Sequence, residues 1–205
     1  MSLETIILAA GKGTRMKSKT PKVLHKVGGK SMLEHVIDAA KKAGSSREVV
    51  VVGAGAEMIL QTVKGVEFVM QEEQLGTGHA VLSAKKNFEQ SEGTVLILCG
   101  DTPLLTGELL KNLTAAHGES KAAATVLTAK MPDATGYGRI IREEDGTFKK
   151  IVEEKDANEL EKKIHEVNAG VYCFDVKKLF AALAKVKNDN AQGEYYLPDV
   201  LTILK

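Results

Sequence analysis

Apolar positions along the 205-residue chain fall into two rhythms. Up to about residue 130, short runs rich in Val, Ile and Leu (residues 5–8, 48–52, 66–70, 94–99 and 122–128) alternate with stretches of helical spacing (32–43, 57–63, 78–88 and 108–117). Runs that are apolar at nearly every position, not at every second one, suit strands covered by helices on both faces. Strand and helix in alternation, with short connections, predict an α/β fold built on a doubly wound, mostly parallel sheet. Past residue 130 the rhythm changes. Residues 138–142 and 147–153 flank Asp145-Gly146, the signature of a hairpin. A polar helix is expected at 157–164, a strand at 167–174, a short helix near 176–184 and a last one at 196–204. These later pieces are placed as a small antiparallel extension beside the main sheet. With no low-complexity linker and no internal repeat, residues 1–205 are expected to form one domain.

Composition narrows the class. At 43% hydrophobic and 27% charged residues, the chain has the make-up of an ordinary globular protein with a sizeable core. A formal net charge of +1 gives no global field, so neither nucleic acid nor a membrane surface is expected as a partner. The local balance differs: within the first thirty residues, Lys12, Arg15, Lys17, Lys19, Lys22, Lys26 and Lys30 face only Glu4 as counter-charge. Two readings stay open, a solvated basic loop and a binding surface for a multiply charged anion. Cys99 and Cys173 lie in apolar, strand-like runs without a partner at metal-ligand spacing, and are expected as reduced core thiols of a cytoplasmic protein.

The first strand is followed directly by Gly11 and Gly13. Glycines there let main-chain N–H groups approach a phosphate. Two well-known phosphate motifs nonetheless fail. A dinucleotide fingerprint needs a third glycine where Met16 stands, and a P-loop ending at Gly29-Lys30-Ser31 needs one where Leu24 stands. What remains is Gly-x-Gly-Thr-Arg followed by Pro21-Lys22. Arg15 has a planar fork for bidentate phosphate contact, and Lys22 supplies a compact charge. On this chemistry the loop is either a polyphosphate cradle or a structural turn.

The stretch Leu8-Ala-Ala-Gly-Lys-Gly-Thr-Arg15 with Pro21-Lys22 resembles the signature of sugar-phosphate nucleotidylyltransferases. Four further stretches resemble one branch, the bacterial N-acetylglucosamine-1-phosphate uridylyltransferases: Gln71-Glu-Glu-Gln-Leu-Gly-Thr-Gly-His-Ala80, Gly136-Tyr-Gly-Arg-Ile140, Val167-Asn-Ala-Gly-Val171 and Asn190-Ala-Gln-Gly-Glu-Tyr-Tyr-Leu197. They stand in the expected order and cover nearly the whole chain. The resemblance implies a Rossmann-like nucleotide-diphospho-sugar transferase fold. It also implies UTP and N-acetylglucosamine 1-phosphate as substrates, Mg2+ as cofactor, and a product used in peptidoglycan and lipopolysaccharide synthesis.

Such a transfer needs no protein nucleophile, and the acceptor phosphate is already anionic, so a general base is dispensable. The protein must align the reactants and neutralise developing charge. No Ser/His/Asp or Cys/His set is evident, and His25, His35, His79, His117 and His165 are read as structural or exposed. Arg15 and Lys22 are the expected catalytic cations, acting with the loop amides around Leu8, Ala9, Ala10, Gly11 and Gly13. Asp101, after the apolar run 95–100, is the expected metal ligand, since magnesium takes one or two carboxylates plus phosphate oxygens; a helix cap is the plainer alternative. The resemblance further assigns Gln71, Gly76 and Thr77 to the base, Cys99 and Gly100 to the nucleotide, and Gly138, Glu153 and Asn168 to the sugar.

Three departures matter. Ser31 stands where relatives often have Pro, and a serine can cap the helix that follows. Cys99 replaces a residue that is often polar or aromatic. Relatives also supply a second metal ligand, an Asn, from a segment beyond position 205, and continue into a β-helix that carries acetyltransferase activity and forms a trimer. This chain is therefore expected to be a C-terminally truncated, monomeric uridylyltransferase domain without acetyltransferase activity, with impaired transfer as one consequence. The alternatives are another sugar-1-phosphate nucleotidylyltransferase, for example one using dTTP and glucose 1-phosphate, and a catalytically silent nucleotide-sugar-binding fragment.

Overall fold

A computed structural model describes every residue except Met1, Lys12, Thr14, Arg15 and Ala54. In chain order the elements are β1 (Leu3–Ala9), β2 (Lys26–Val27), β3 (Lys30–Ser31), α1 (Met32–Ala43), β4 (Glu48–Val52), α2 (Glu57–Thr62), β5 (Glu67–Met70), α3 (Thr77–Ser83), β6 (Thr94–Cys99), α4 (Gly107–Ser120), β7 (Ala124–Lys130), β8 (Arg139–Arg142), β9 (Phe148–Val152), β10 (Glu166–Asp175), α5 (Val176–Leu183) and α6 (Asp199–Leu204). Among the described residues no helix is long and apolar enough to cross a membrane.

One mixed sheet runs β5-β4-β1-β6-β10-β8-β9, with β7 also paired to β10. The pairs β4–β5, β1–β4 and β1–β6 are parallel. Those of β10 with β6, β7 and β8, and of β8 with β9, are antiparallel. The parallel, doubly wound part of the mixed sheet is thus joined strand to strand to its antiparallel part through β10. Residues Tyr172 to Phe174 pair with β6 and β7 at once, and Val167 pairs with β7 and β8. So β7 follows one edge of β10, while β6 and then β8 share the other.

Continuous apolar strands occur because each face of the sheet has its own core. Ile6, Val49, Val51, Val95 and Ile97 point to one side, against Val81 of α3, Leu179 of α5 and Val200 of α6. Ile7, Val50, Val52, Leu96 and Leu98 point to the other, against Leu33 and Ile37 of α1, Ile59 of α2 and Leu110 of α4. Side chains alternate along each strand, so both sets must be apolar. Helix α1 starts in a capping box, as its serine suggested: Ser31 Oγ accepts from Glu34 N, and Glu34 answers by accepting from Ser31 N.

Three expectations need correction. Residues 157–164 do not form an α-helix; only a 3-10 turn, Glu161–Lys163, is present. Asn158 Oδ1 accepts from the amides of Leu160 and Glu161, and Leu160 is 76% exposed, so the segment has local bonds but no apolar face to hold a helix. The last helix starts at Asp199 and not at 196, because Tyr196 and Leu197 precede Pro198 and Leu197 N donates to Thr77 Oγ1. The helix expected over 78–88 stops at Ser83 and resumes as the 3-10 turn Lys85–Phe88. The short β2–β3 hairpin was not anticipated; Gly29-Lys30-Ser31, which resembled a P-loop ending, forms its return strand and the helix cap.

Candidate active site

Strand β1 is where the strand order switches: the chain adds β4 and β5 on one side of it, then β6 on the other. Crevices form at the carboxyl ends of strands at such a point. A cleft of about 820 Å³ opens there, its rim formed by the ends of β1, β5 and β6. Of the expected residues, Leu8, Ala9, Ala10, Gly11, Gly13, Lys22, Gln71, Gly76, Thr77, Cys99 and Asp101 line it together. Gly100 lies just beneath, its amide donating to Leu8 O at 2.9 Å. Arg15 lies outside the described residues.

Lys22, in the turn that follows the β1 loop, and Asp101, just after β6, meet as an ion pair, Nζ to Oδ2 at 2.5 Å, each side chain about one-third exposed (36% and 31%). A glycine at 13 is needed for this arrangement: its φ is +57°, and a Cβ there would sit 2.8 Å from Lys22 Cβ. Lys22 follows Pro21 in a short 3-10 turn anchored by buried Val23 and Leu24. Of the other basic residues near the start, Lys30 pairs with Asp38, while Lys17, Lys19 and Lys26 are exposed. Among the described residues, Lys22 is thus the cation that the fold commits to the cleft.

The loop after β5 is braced from several sides. Gln71 N donates to Val52 O at 2.8 Å, and its buried side chain bonds Gly76 O and His79. The segment 194–197 packs behind, with Tyr195 N donating to Leu75 O and Tyr195 O accepting from Gly78 N. Gln74, absent from the sequence-based set, donates from Nε2 to Ala10 O at 2.6 Å and so ties this loop to the end of β1. Gly53 leaves the space: a Cβ there would lie 2.6 Å from Gln74 Nε2 and 2.8 Å from Ala10 O. Met16, Val23, Ala80 and Glu194 also line the cleft without having been expected.

Gly138, Glu153 and Asn168 do not line this cleft but form a second group beside it. A Cβ on Gly138 would meet Glu153 Oε1 at 3.0 Å, and Gly138 O accepts from Asn168 N at 2.9 Å. Asn168 Nδ2 donates to Tyr172 Oη at 2.6 Å, and its Oδ1 accepts from Gly170 N. The two groups touch where Cys99 Sγ donates to Gly170 O at 3.7 Å. Burial, then Asp156, Asp199 and Glu194, push the Glu153 carboxyl above the usual carboxylate range, against Arg139. Arg139 is itself buried and holds the loop before it, bonding Glu154 Oε2 at 2.7 Å and Tyr137 O. A strand-borne arginine beside Gly138 carried no signal for this in the sequence.

Cys173 is a free core thiol as expected, whereas free Cys99 is only half-buried and faces the cleft. Burial, then Asp101, pushes the Cys99 thiol up to about 12, so it is not a nucleophile at neutral pH. The histidines are dispersed: His117 Nδ1 bonds Thr125 Oγ1, His35 and His165 bond carbonyls of Val27 and Met131, and His79 bonds Gln71.

Comparison with known proteins agrees with this architecture. The family model for the MobA-like NTP transferase domain matches residues 5–197, and the chain belongs to that family. It is 58% identical over 201 residues to the bifunctional protein GlmU of Bacillus cereus (strain AH187), a match covering 98% of this chain and 44% of that protein. The GlmU proteins of Exiguobacterium sibiricum and Bacillus thuringiensis (strain Al Hakam) match with the same identity and share of this chain, over 45% and 44% of their own lengths. The chain thus spans less than half the length of these relatives. The crystal structure of a UDP-glucose pyrophosphorylase complexed with UDP-glucose superposes with a TM-score of 0.80 at 20% identity, covering 98% of this chain and 86% of that one, which shows the shared fold.

Proposed function

We propose that this chain transfers the uridylyl group of UTP to N-acetyl-α-D-glucosamine 1-phosphate, giving UDP-N-acetylglucosamine and pyrophosphate. In this reaction an acceptor phosphate oxygen forms a bond to the α-phosphorus, and the bond from that phosphorus to the bridging oxygen of pyrophosphate breaks. The observation that carries the reading is the cleft at the end of β1, where a glycine loop, Lys22, Asp101 and the braced Gln71 loop converge. Lys22, with Arg15 and the loop amides, neutralises charge on the triphosphate and its leaving group. Gln71, Gly76 and Thr77 hold the base; Gly138, Glu153 and Asn168 hold the sugar in the adjoining group.

A divalent cation, Mg2+ in this reading, fits Asp101. Such an ion needs one or two carboxylates when phosphate oxygens and water complete its shell, and Asp101 offers one at the cleft wall. No cluster of three His, Cys, Asp or Glu side chains is present among the described residues. When bound, the cation would neutralise phosphate charge and orient the triphosphate. Asp101 would hold the cation, and Lys22, now its ion-pair partner, would serve the phosphates. The reading carries with it a monomeric chain, a cytoplasmic location with access to UTP, and a product that feeds cell-envelope polymers.

Pyrophosphate release measured across UTP, CTP and dTTP with N-acetylglucosamine 1-phosphate and glucose 1-phosphate tests it. UTP with N-acetylglucosamine 1-phosphate should give the highest kcat/KM. A preference for dTTP with glucose 1-phosphate would replace this assignment by a neighbouring one. Tight binding of UDP-N-acetylglucosamine with no turnover of any pair would leave a nucleotide-sugar-binding module.

A further inference from the structure

We infer that His79 is a positioning residue that fixes which end of the Gln71 amide meets the base, and thereby selects a base with a hydrogen on N3, uracil or thymine, over cytosine. The inference rests on the assignment of Gln71 to the base and adds to it the residue that gives that contact its direction.

An amide side chain can offer either a donor or an acceptor, and its two ends are distinguished only by the partners around them. Here the partners decide. One end of the Gln71 amide lies 3.2 Å from the carbonyl oxygen of Gly76, which can only accept, so that end is Nε2. The same nitrogen lies 3.1 Å from His79 Nδ1. With one hydrogen directed at Gly76 O, the other goes to the imidazole, and Nδ1 must present a lone pair. That requires the neutral ring with its proton on Nε2.

Both amide hydrogens are then consumed inside the protein. Gln71 is 3% exposed yet lines the cleft, and its Oε1 accepts no hydrogen bond among the described residues. What the side chain offers a ligand is therefore an acceptor. Uracil carries N–H at N3 between two carbonyls, whereas cytosine carries a lone pair there. An acceptor held against N3 pairs with the first and repels the second. Gly76 and His79 are both needed: without the imidazole lone pair a buried N–H is left unpaired, and the amide loses a reason not to reverse.

The test uses calorimetric binding of UTP and of CTP, in magnesium chloride, to the full chain and to His79→Leu, His79→Asn and Gln71→Leu, with melting curves to confirm folding. Asn places its Oδ1 near the position of Nδ1 and restores the acceptor without the ring. The unmodified chain should prefer UTP. His79→Leu should lower the UTP-to-CTP affinity ratio by about tenfold, the worth of one directed hydrogen bond, and His79→Asn should recover most of it. An unchanged ratio in His79→Leu, or equal losses in both His79 variants, would overturn the role of His79 while leaving the base contact intact. If Gln71→Leu binds UTP as tightly as the unmodified chain, or if that chain does not prefer UTP, the base assignment itself falls and the inference with it. A misfolded His79→Leu leaves the decision with His79→Asn, whose ratio must then match that of the unmodified chain.

Discussion

The parallel and antiparallel halves of the sheet deliver side chains to the site in different ways. In β5-β4-β1-β6 all strands point in one direction, so whatever follows a strand arrives at the same edge: Ala10 and Gly11 after β1, Gln71 after β5, Asp101 after β6. In the antiparallel half, neighbouring strands bring opposite ends together. Gly138 precedes β8, Glu153 follows β9, and Asn168 lies inside β10. The first arrangement tolerates a balanced charge pair, Lys22 with Asp101, open to the cleft. The second gathers acids, Glu153 with Asp156, Asp199 and Glu194 around it. Under the proposed function, the first half meets the phosphates and the second the hydroxyl and acetamido groups of the sugar.

The sharpest way to break this contrast is to remove its charged pair. Lys22→Ala or Asp101→Asn should lower kcat by about 10²- to 10³-fold, the scale of losing one preorganised charge contact. Binding of UDP-N-acetylglucosamine, followed by calorimetry, should weaken by far less. Equal losses in turnover and product affinity would mean that the pair serves binding and not the transfer step.

On the other half, Asn168→Ala should raise KM for the sugar phosphate about tenfold through one lost directed bond, with KM for UTP unchanged in steady-state kinetics. A parallel rise in both would show that the halves are not separable.

A smaller effect concerns stability. The Glu153 carboxyl titrates higher in the folded chain than in the unfolded one, so folded stability is lost as pH rises from the usual carboxylate value through the raised folded value. Glu153→Gln removes that penalty. It should raise Tm at pH 7 by about 2 °C, with the gain vanishing near pH 4, while sugar-phosphate binding weakens. Smallest of all, Cys99 should resist alkylation at pH 8, where a thiol pushed up to about 12 is ionised in only about one molecule in 10⁴. Rapid labelling followed by mass spectrometry would contradict that.

The same contrast explains what could be read in advance. The parallel strands announce themselves because both of their faces are buried, giving runs such as Val49 to Val52 and Val95 to Leu98. Their ends mark the edge where site residues fall, which brings Asp101 forward by position, whereas Gln71 is assigned to the base through the resemblance. Gly138, Glu153 and Asn168 carry no such positional signal, and only resemblance singled them out. Gln74 escaped both routes: a loop glutamine has no periodicity, and its partner, Ala10 O, lies 64 residues away in sequence. The expected helix at 157–164 failed for a related reason. Polar residues at helical spacing do not make a helix when nothing packs against them, and Leu160 points to solvent.

Strand β10 shows what a register shift does to a backbone. Its pairing with β7 slips between Asn168 and Tyr172, so the residues between have no ladder partner there, whereas Tyr172, Cys173 and Phe174 are laddered on both edges. Hydrogen exchange should therefore divide this one strand. The amides of 172–174 should open only with global unfolding, and those of 169–171 should exchange through local opening that leaves the ladder intact. The stretch nearest Cys99 would then be the part of the strand free to adjust to an arriving ligand, and protection there should rise when UDP-N-acetylglucosamine is added.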